Sequence, residues 1–86
     1  MERYRGRCEA VLIRLTGRLP SEALDRAQRL IDHGEPSEGL CGLAWLISDQ
    51  RIHVPTSDIC EIKELTAGMV PPEHLPPDLD DYAVPG

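Results

Sequence analysis

The chain reads as an all-α protein: a compact four-helix domain followed by an extended, Pro-rich C-terminal tail. Three observations carry that reading. Four segments place apolar residues at helical spacing. Phenylalanine is absent and Tyr4, Trp45 and Tyr82 are the only aromatics, so the core must be built from Leu, Ile, Val and Ala. That composition favours helices, because strands draw on aromatic and β-branched residues. Finally, 86 residues make one small domain, with room for no second core and a stability of only a few kcal/mol.

The first helix is expected over about 3–18. Tyr4, Cys8, Val11, Leu12, Leu15 and Leu19 fall on one face at ~100° per residue, and Gly17 weakens its end. Arg3, Arg7, Arg14 and Arg18 form a stripe on the flank. Pro20 and Ser21 then break the chain, with Ser21 as N-cap of a second helix over 21–33. Its core stripe is Ala23, Leu24, Ala27, Leu30 and Ile31. Glu22–Arg26 and Asp25–Arg29 have the i,i+4 spacing of surface ion pairs. Gly34 suits the residue after the helix end, where a positive φ is wanted.

A third helix is expected over 36–50. Pro36 fits its first position, where a missing N–H is no loss, and Glu35 puts a carboxylate at the positive end of the dipole. Leu40, Leu43, Ala44 and Ile47 make the main stripe, and Cys41, Trp45 and Leu46 spread apolar character round the cylinder, as in a central helix. Gly39 and Gly42 would let a neighbouring helix come close. Residues 51–57 read as a loop, with Pro55 holding Val54 extended. Ser57 or Asp58 then caps a fourth helix over 58–68, Asp58 and Glu61 having capping-box spacing. Its apolar face is Ile59, Ile62, Leu65 and Met69, and Gly68 with Pro71 and Pro72 ends it. The helical domain is thus 1–69, and 70–86 is an acidic tail holding five of the eight prolines. The tail is expected to be extended or partly disordered, with Leu75, Leu79 and Tyr82 as contacts to the body.

Charge is unevenly spread. The net charge is −6, but residues 1–31 sum to +3 and residues 32–86 to −9. Such a balance argues against nucleic acid and suits a basic protein partner, through steering and repulsion of wrong partners. The arginine stripe is the one basic feature. It can track phosphates, or it can be a solvated face that meets acids such as Asp78, Asp80 and Asp81.

Three cysteines, Cys8, Cys41 and Cys60, with no CxxC spacing, speak against a disulfide framework and for a reducing cytoplasm. The start of the chain has no uninterrupted apolar run suited to a signal peptide or a membrane span. His33, His53 and His74 form no paired ligand motif with the cysteines, so neither metal nor cofactor is expected. No nucleophile motif and no glycine-rich phosphate loop is present, so the chain is not expected to be an enzyme. Trp45 has two readings. It projects near Glu38, Gly42 and Asp49, as an aromatic anchor ringed by acids. Alternatively the third helix is central, and a residue of the tail or first helix covers the ring.

Residues 19–69 also resemble a known family. The carrying residues are Leu30, Ile31, Asp32, Gly34 and Glu35 at a helix end; Leu40, Leu43 and Ile47 in the next helix; Pro55 and Ser57 in a loop; and Ile59, Ile62, Leu65 and Met69 in the last helix. Together they are similar to the MafI family of small bacterial immunity proteins. GLCGLAWLI is more apolar than the family's usual third helix, and the Pro-rich tail lies outside the pattern. The resemblance implies a protein that binds a cognate toxin domain and blocks its active site or substrate access, without catalysis of its own. Many such toxins are basic nucleases. The partner surface expected on this chain is Glu38, Trp45, Asp49, Glu61 and Glu64, on a monomer or weak dimer that contacts neither nucleic acid nor membrane. The rival reading is a small helical adaptor or regulatory protein binding another cytoplasmic partner.

Overall fold

Each of the four apolar stripes becomes an α-helix: α1 (Glu2–Arg14), α2 (Ser21–Asp32), α3 (Pro36–Gln50) and α4 (Thr56–Thr66). The structure is a computed structural model, and it describes residues 2–85. Cys8, Val11, Leu15, Ile31, Leu40, Leu43, Ile47, Ile59 and Ile62 meet in one core. This is the four-helix, all-α architecture expected.

The helix α1 is shorter than its apolar stripe. It ends at Arg14, and Gly17, at φ 90°, turns the chain so that Thr16 and Leu19 form an isolated bridge. Leu15 and Leu19 still reach the core, through the turn and not through further helix. Ser21 is the first residue of α2 and not its cap: Pro20 precedes it in an extended conformation, and no side chain caps the helix.

The α2–α3 hairpin is built from local chemistry. Gly34 takes a positive φ of 83°. Its amide donates to the Ile31 carbonyl at 3.0 Å, and the Glu35 amide to that of Leu30 at 2.8 Å. These two bonds are the Schellman closure of a helix. Pro36 then starts α3 at once. A Cβ on Gly39 would lie 2.9 Å from the Ala27 carbonyl oxygen, so glycine is what lets the two backbones touch. Gly42, by contrast, faces open space and serves no intramolecular approach. Glu22–Arg26 and Asp25–Arg29 do not close as ion pairs among the described residues.

The helix α4 starts at Thr56 and ends at Thr66, two residues earlier at each end than expected. Asp58 is therefore inside the helix and caps nothing. It is 3% exposed and accepts a 2.7 Å bond from Arg14 Nε. Further along the α1–α4 seam, Arg7 donates to Glu61 at 3.2 Å and also to Glu64. The Tyr4 hydroxyl donates to the Leu65 carbonyl. Two members of the arginine stripe, Arg7 and Arg14, thus meet acids of α4, and among the described residues none of the stripe pairs with an acid of the tail. Because the helix ends at Thr66 and Gly68 turns at φ 78°, Met69 leaves the core face and is 60% exposed.

Among the described residues the tail holds no fifth α-helix, but it folds back along the body. Short 3₁₀ turns form at Pro72–His74 and Leu79–Tyr82. Ala83–Val84 (β2) pairs in parallel with Val54–Pro55 (β1), the extended residues before α4. Leu79 is 1% exposed and belongs to the core, with Leu75 and Tyr82 packed against it. Lys63 holds Asp80 at 2.7 Å and the Thr56 hydroxyl donates to the Val84 carbonyl at 3.2 Å.

Candidate protein-binding surface

One outward strip of α3 carries Glu38, Gly42, Trp45 and Asp49, all exposed. Helical geometry sets it between two walls. On one side α2 packs against Gly39 and Leu43. On the other side the tail docks on Cys41, Trp45 and Ser48. The His74 carbonyl oxygen accepts from both Trp45 Nε1, at 2.6 Å, and Cys41 Sγ, at 3.0 Å. One helical turn on, the Ser48 hydroxyl donates to Asp78 at 2.7 Å. Burial, and after it the Glu38 carboxylate, push the Cys41 thiol pKa up. The thiol therefore stays protonated at neutral pH and keeps its proton for His74.

Trp45 thus satisfies both sequence readings in part. Its indole N–H is bonded to the tail, yet the residue remains 41% exposed. An aromatic whose polar tip is fixed loses little further freedom when its face is covered, which is the property of a binding anchor.

The five expected partner residues divide between two helices. Glu38, Trp45 and Asp49 share the outer strip of α3. Neither acid forms an ion pair among the described residues. Glu61 and Glu64 lie on α4, where Arg7 binds both, and those two acids in turn raise the Arg7 pKa. One guanidinium faces two carboxylates, so the cluster keeps a net charge of one negative unit, and the Glu64 side chain stays 68% exposed. The structure adds Asp78, which the Ser48 bond draws to α3, and Glu73, next to the His74 anchor. An acidic tail was visible in the sequence, but no local signal showed which helix it would meet.

Elsewhere, a groove of about 570 Å³ lies between the end of α4 and the tail, walled by Val70, Leu75 and Pro76. Its titratable side chains are Lys63 and Glu73, the lysine already paired with Asp80. Cys8 and Cys41 are buried free thiols and Cys60 is exposed. Among the described residues, no three His, Cys, Asp or Glu side chains gather as a metal-ligand set. What the α3 strip offers chemically is recognition: an apolar ring face, open acids of one sign and a rigid helical support. No family model, curated protein or solved structure matches the chain.

Proposed function

We propose that this protein is an immunity protein, which binds a cognate bacterial toxin domain and blocks its active site or substrate access. One observation carries the reading: Trp45 stands half-exposed on α3, anchored through its N–H and flanked by the unpaired acids Glu38 and Asp49. A surface of that kind suits a basic partner, with the ring as anchor and the acids as steering charges. The resemblance of residues 19–69 to the MafI family points the same way. In this reading the protein acts stoichiometrically in the cytoplasm, without catalysis or cofactor. Among the described residues no helix is long and apolar enough to cross a membrane.

The test is to identify any toxin domain encoded beside this gene, co-express the two, and measure binding on the purified pair. Protection of the cells and a salt-sensitive association rate are expected. Trp45→Ala should weaken binding by more than ~30-fold, the scale of a hot-spot residue. Charge reversal at Glu38 and Asp49 should slow association. Reversal at Glu61 and Glu64 should matter less, because Arg7 offsets one of their two charges. Failure to protect, combined with binding to some other cytoplasmic protein, would favour an adaptor instead.

A further inference from the structure

The C-terminal tail is attached to the body differently from the way the helices are attached to each other. The four helices close on one another without it. The Tyr4 hydroxyl, Arg7 and Arg14 tie α1 to α4, and Gly39 lets α3 touch α2. Of the buried core, Leu79 is the one member that the tail supplies. Among residues 71–85, Pro76 and Leu79 are buried and the others are half or fully exposed. The 3₁₀ turns of the tail are closed locally: His74 donates to Pro71, Leu75 to Pro72, Leu79 to Pro76 and Asp81 to Asp78.

Three features set this segment apart as a piece of its own. Gly68, at φ 78°, and Pro71 make a joint after α4. The pairs Pro71–Pro72 and Pro76–Pro77 fix φ along the segment, so it cannot fray one residue at a time. Finally, the groove of about 570 Å³ undercuts it, with Thr66 and Ala67 on one wall and Leu75 and Pro77 on the other. Past the groove the segment is fastened to α3 at Cys41, Trp45 and Ser48, to α4 through Lys63 and Asp80, and to β1 by a two-residue strand pair.

We propose that residues 71–85 form a strap that swings off the helical body as one unit, about the joint at Gly68–Pro71, while the four helices stay folded. A segment held by few buried apolar groups and by exposed polar bonds opens at a lower free-energy cost than a core. His74, Asp78 and Leu79 ride on one stiff piece. Opening therefore frees the Trp45 N–H, uncovers the Cys41 thiol and vacates the place of Leu79 in a single step. A partner that reads Trp45 in its fixed position meets only the closed population, so the strap sets how much of the protein is competent to bind. That last step rests on the immunity reading. The swing itself does not, and it is tested on the free chain, so the two fail separately.

The three free thiols report three levels of opening. Cys60 is exposed, Cys41 lies under the His74 carbonyl, and Cys8 is 0% exposed in the core. Labelling with iodoacetamide is followed peptide by peptide in mass spectrometry, and each rate is divided by that of the same thiol in denaturant. Cys60 should react at once, and Cys41 at least ~10-fold faster than Cys8. Leu79→Ala should speed Cys41 by at least ~10-fold, and the gentler Ser48→Ala by ~3-fold. Ile31→Val weakens the body on its α2 side; it should speed Cys8 by ~3–10-fold and leave Cys41 unchanged. Equal protection of Cys41 and Cys8, with both sped together by Ile31→Val, would mean that the strap leaves only on global unfolding, and overturns the proposal. So does a Cys41 rate indifferent to Leu79→Ala and Ser48→Ala, which marks a flicker of the thiol alone. Loss of helical circular dichroism in Leu79→Ala overturns it too, because the body would then need the strap to fold.

Discussion

Replacing Gly39 with alanine should test the α2–α3 packing more sharply than any other single methyl group. The new Cβ would stand 2.9 Å from the Ala27 carbonyl oxygen, with the Ala27 Cα at 3.5 Å. Both are backbone atoms of a helix, so no side chain can swing away; α2 and α3 must separate by several tenths of an ångström. Overpacking of this kind costs about 1–3 kcal/mol, and a backbone clash belongs at the upper end. Alanine recovers ~1 kcal/mol of helix propensity. The net expectation is a loss of about 1–2 kcal/mol. Gly42→Ala is the matched control: the same chemistry three residues on, with open space at the Cβ. It should gain ~1 kcal/mol. Denaturant midpoints at fixed slope, measured at concentrations low enough to keep the protein monomeric, report both values. In a chain this size ~1 kcal/mol moves the thermal midpoint by about 4–8 °C. Equal shifts of the same sign in the two variants would refute the close helix contact.

Four further outcomes are expected. Leu43→Ala and Ile62→Ala, at residues 2% and 0% exposed, should each cost about 2–4 kcal/mol in chemical denaturation, and wild-type midpoints would mean the core is misassigned. Arg14→Ala should cost about 1–3 kcal/mol, because it strands the buried Asp58 carboxylate; the range is below that of a fully buried pair since Arg14 is itself half-exposed to screening water. Arg51 ends α3 at φ 54°, a left-handed conformation that favours glycine, so Arg51→Gly should raise stability by ~1 kcal/mol, and a destabilised variant would show that the side chain holds something else. Burial raises the pKa of Cys8 and Tyr4, so the folded state favours their protonated forms. Their contribution is complete below the ordinary values of 9.0 for the thiol and 10.0 for the phenol, and is lost as pH rises through the raised ones. A thermal midpoint that holds steady at strongly alkaline pH would contradict that burial.

Local sequence alone determined the helices and the tightest turn. The stripes of Tyr4–Cys8–Val11 and Ile59–Ile62–Leu65 state their periodicity within a few residues, and Gly34 with Pro36 closes one helix and opens the next through bonds that span no more than five positions. Helix ends were less legible. The stripe continues through Leu15 and Leu19 after the helix has stopped, because a turn at Gly17 can deliver the same side chains to the core. Asp58 looked like a cap because its sequence neighbours fit one; its real partner is Arg14, 44 residues away. The candidate surface was half legible. Glu38, Trp45 and Asp49 share a face by helical geometry, which sequence fixes. Whether an acid is open or spent depends on what packs beside it, and that is a tertiary matter. Arg7 reaches Glu61 and Glu64 because α1 lies along α4, and the tail reaches Trp45 because Leu79 finds a place in the core. Sequence spacing sets which side chains share a helix face. Only the packing of one element on another decides which charges are cancelled, which carbonyl meets an indole N–H, and which glycine has a neighbour.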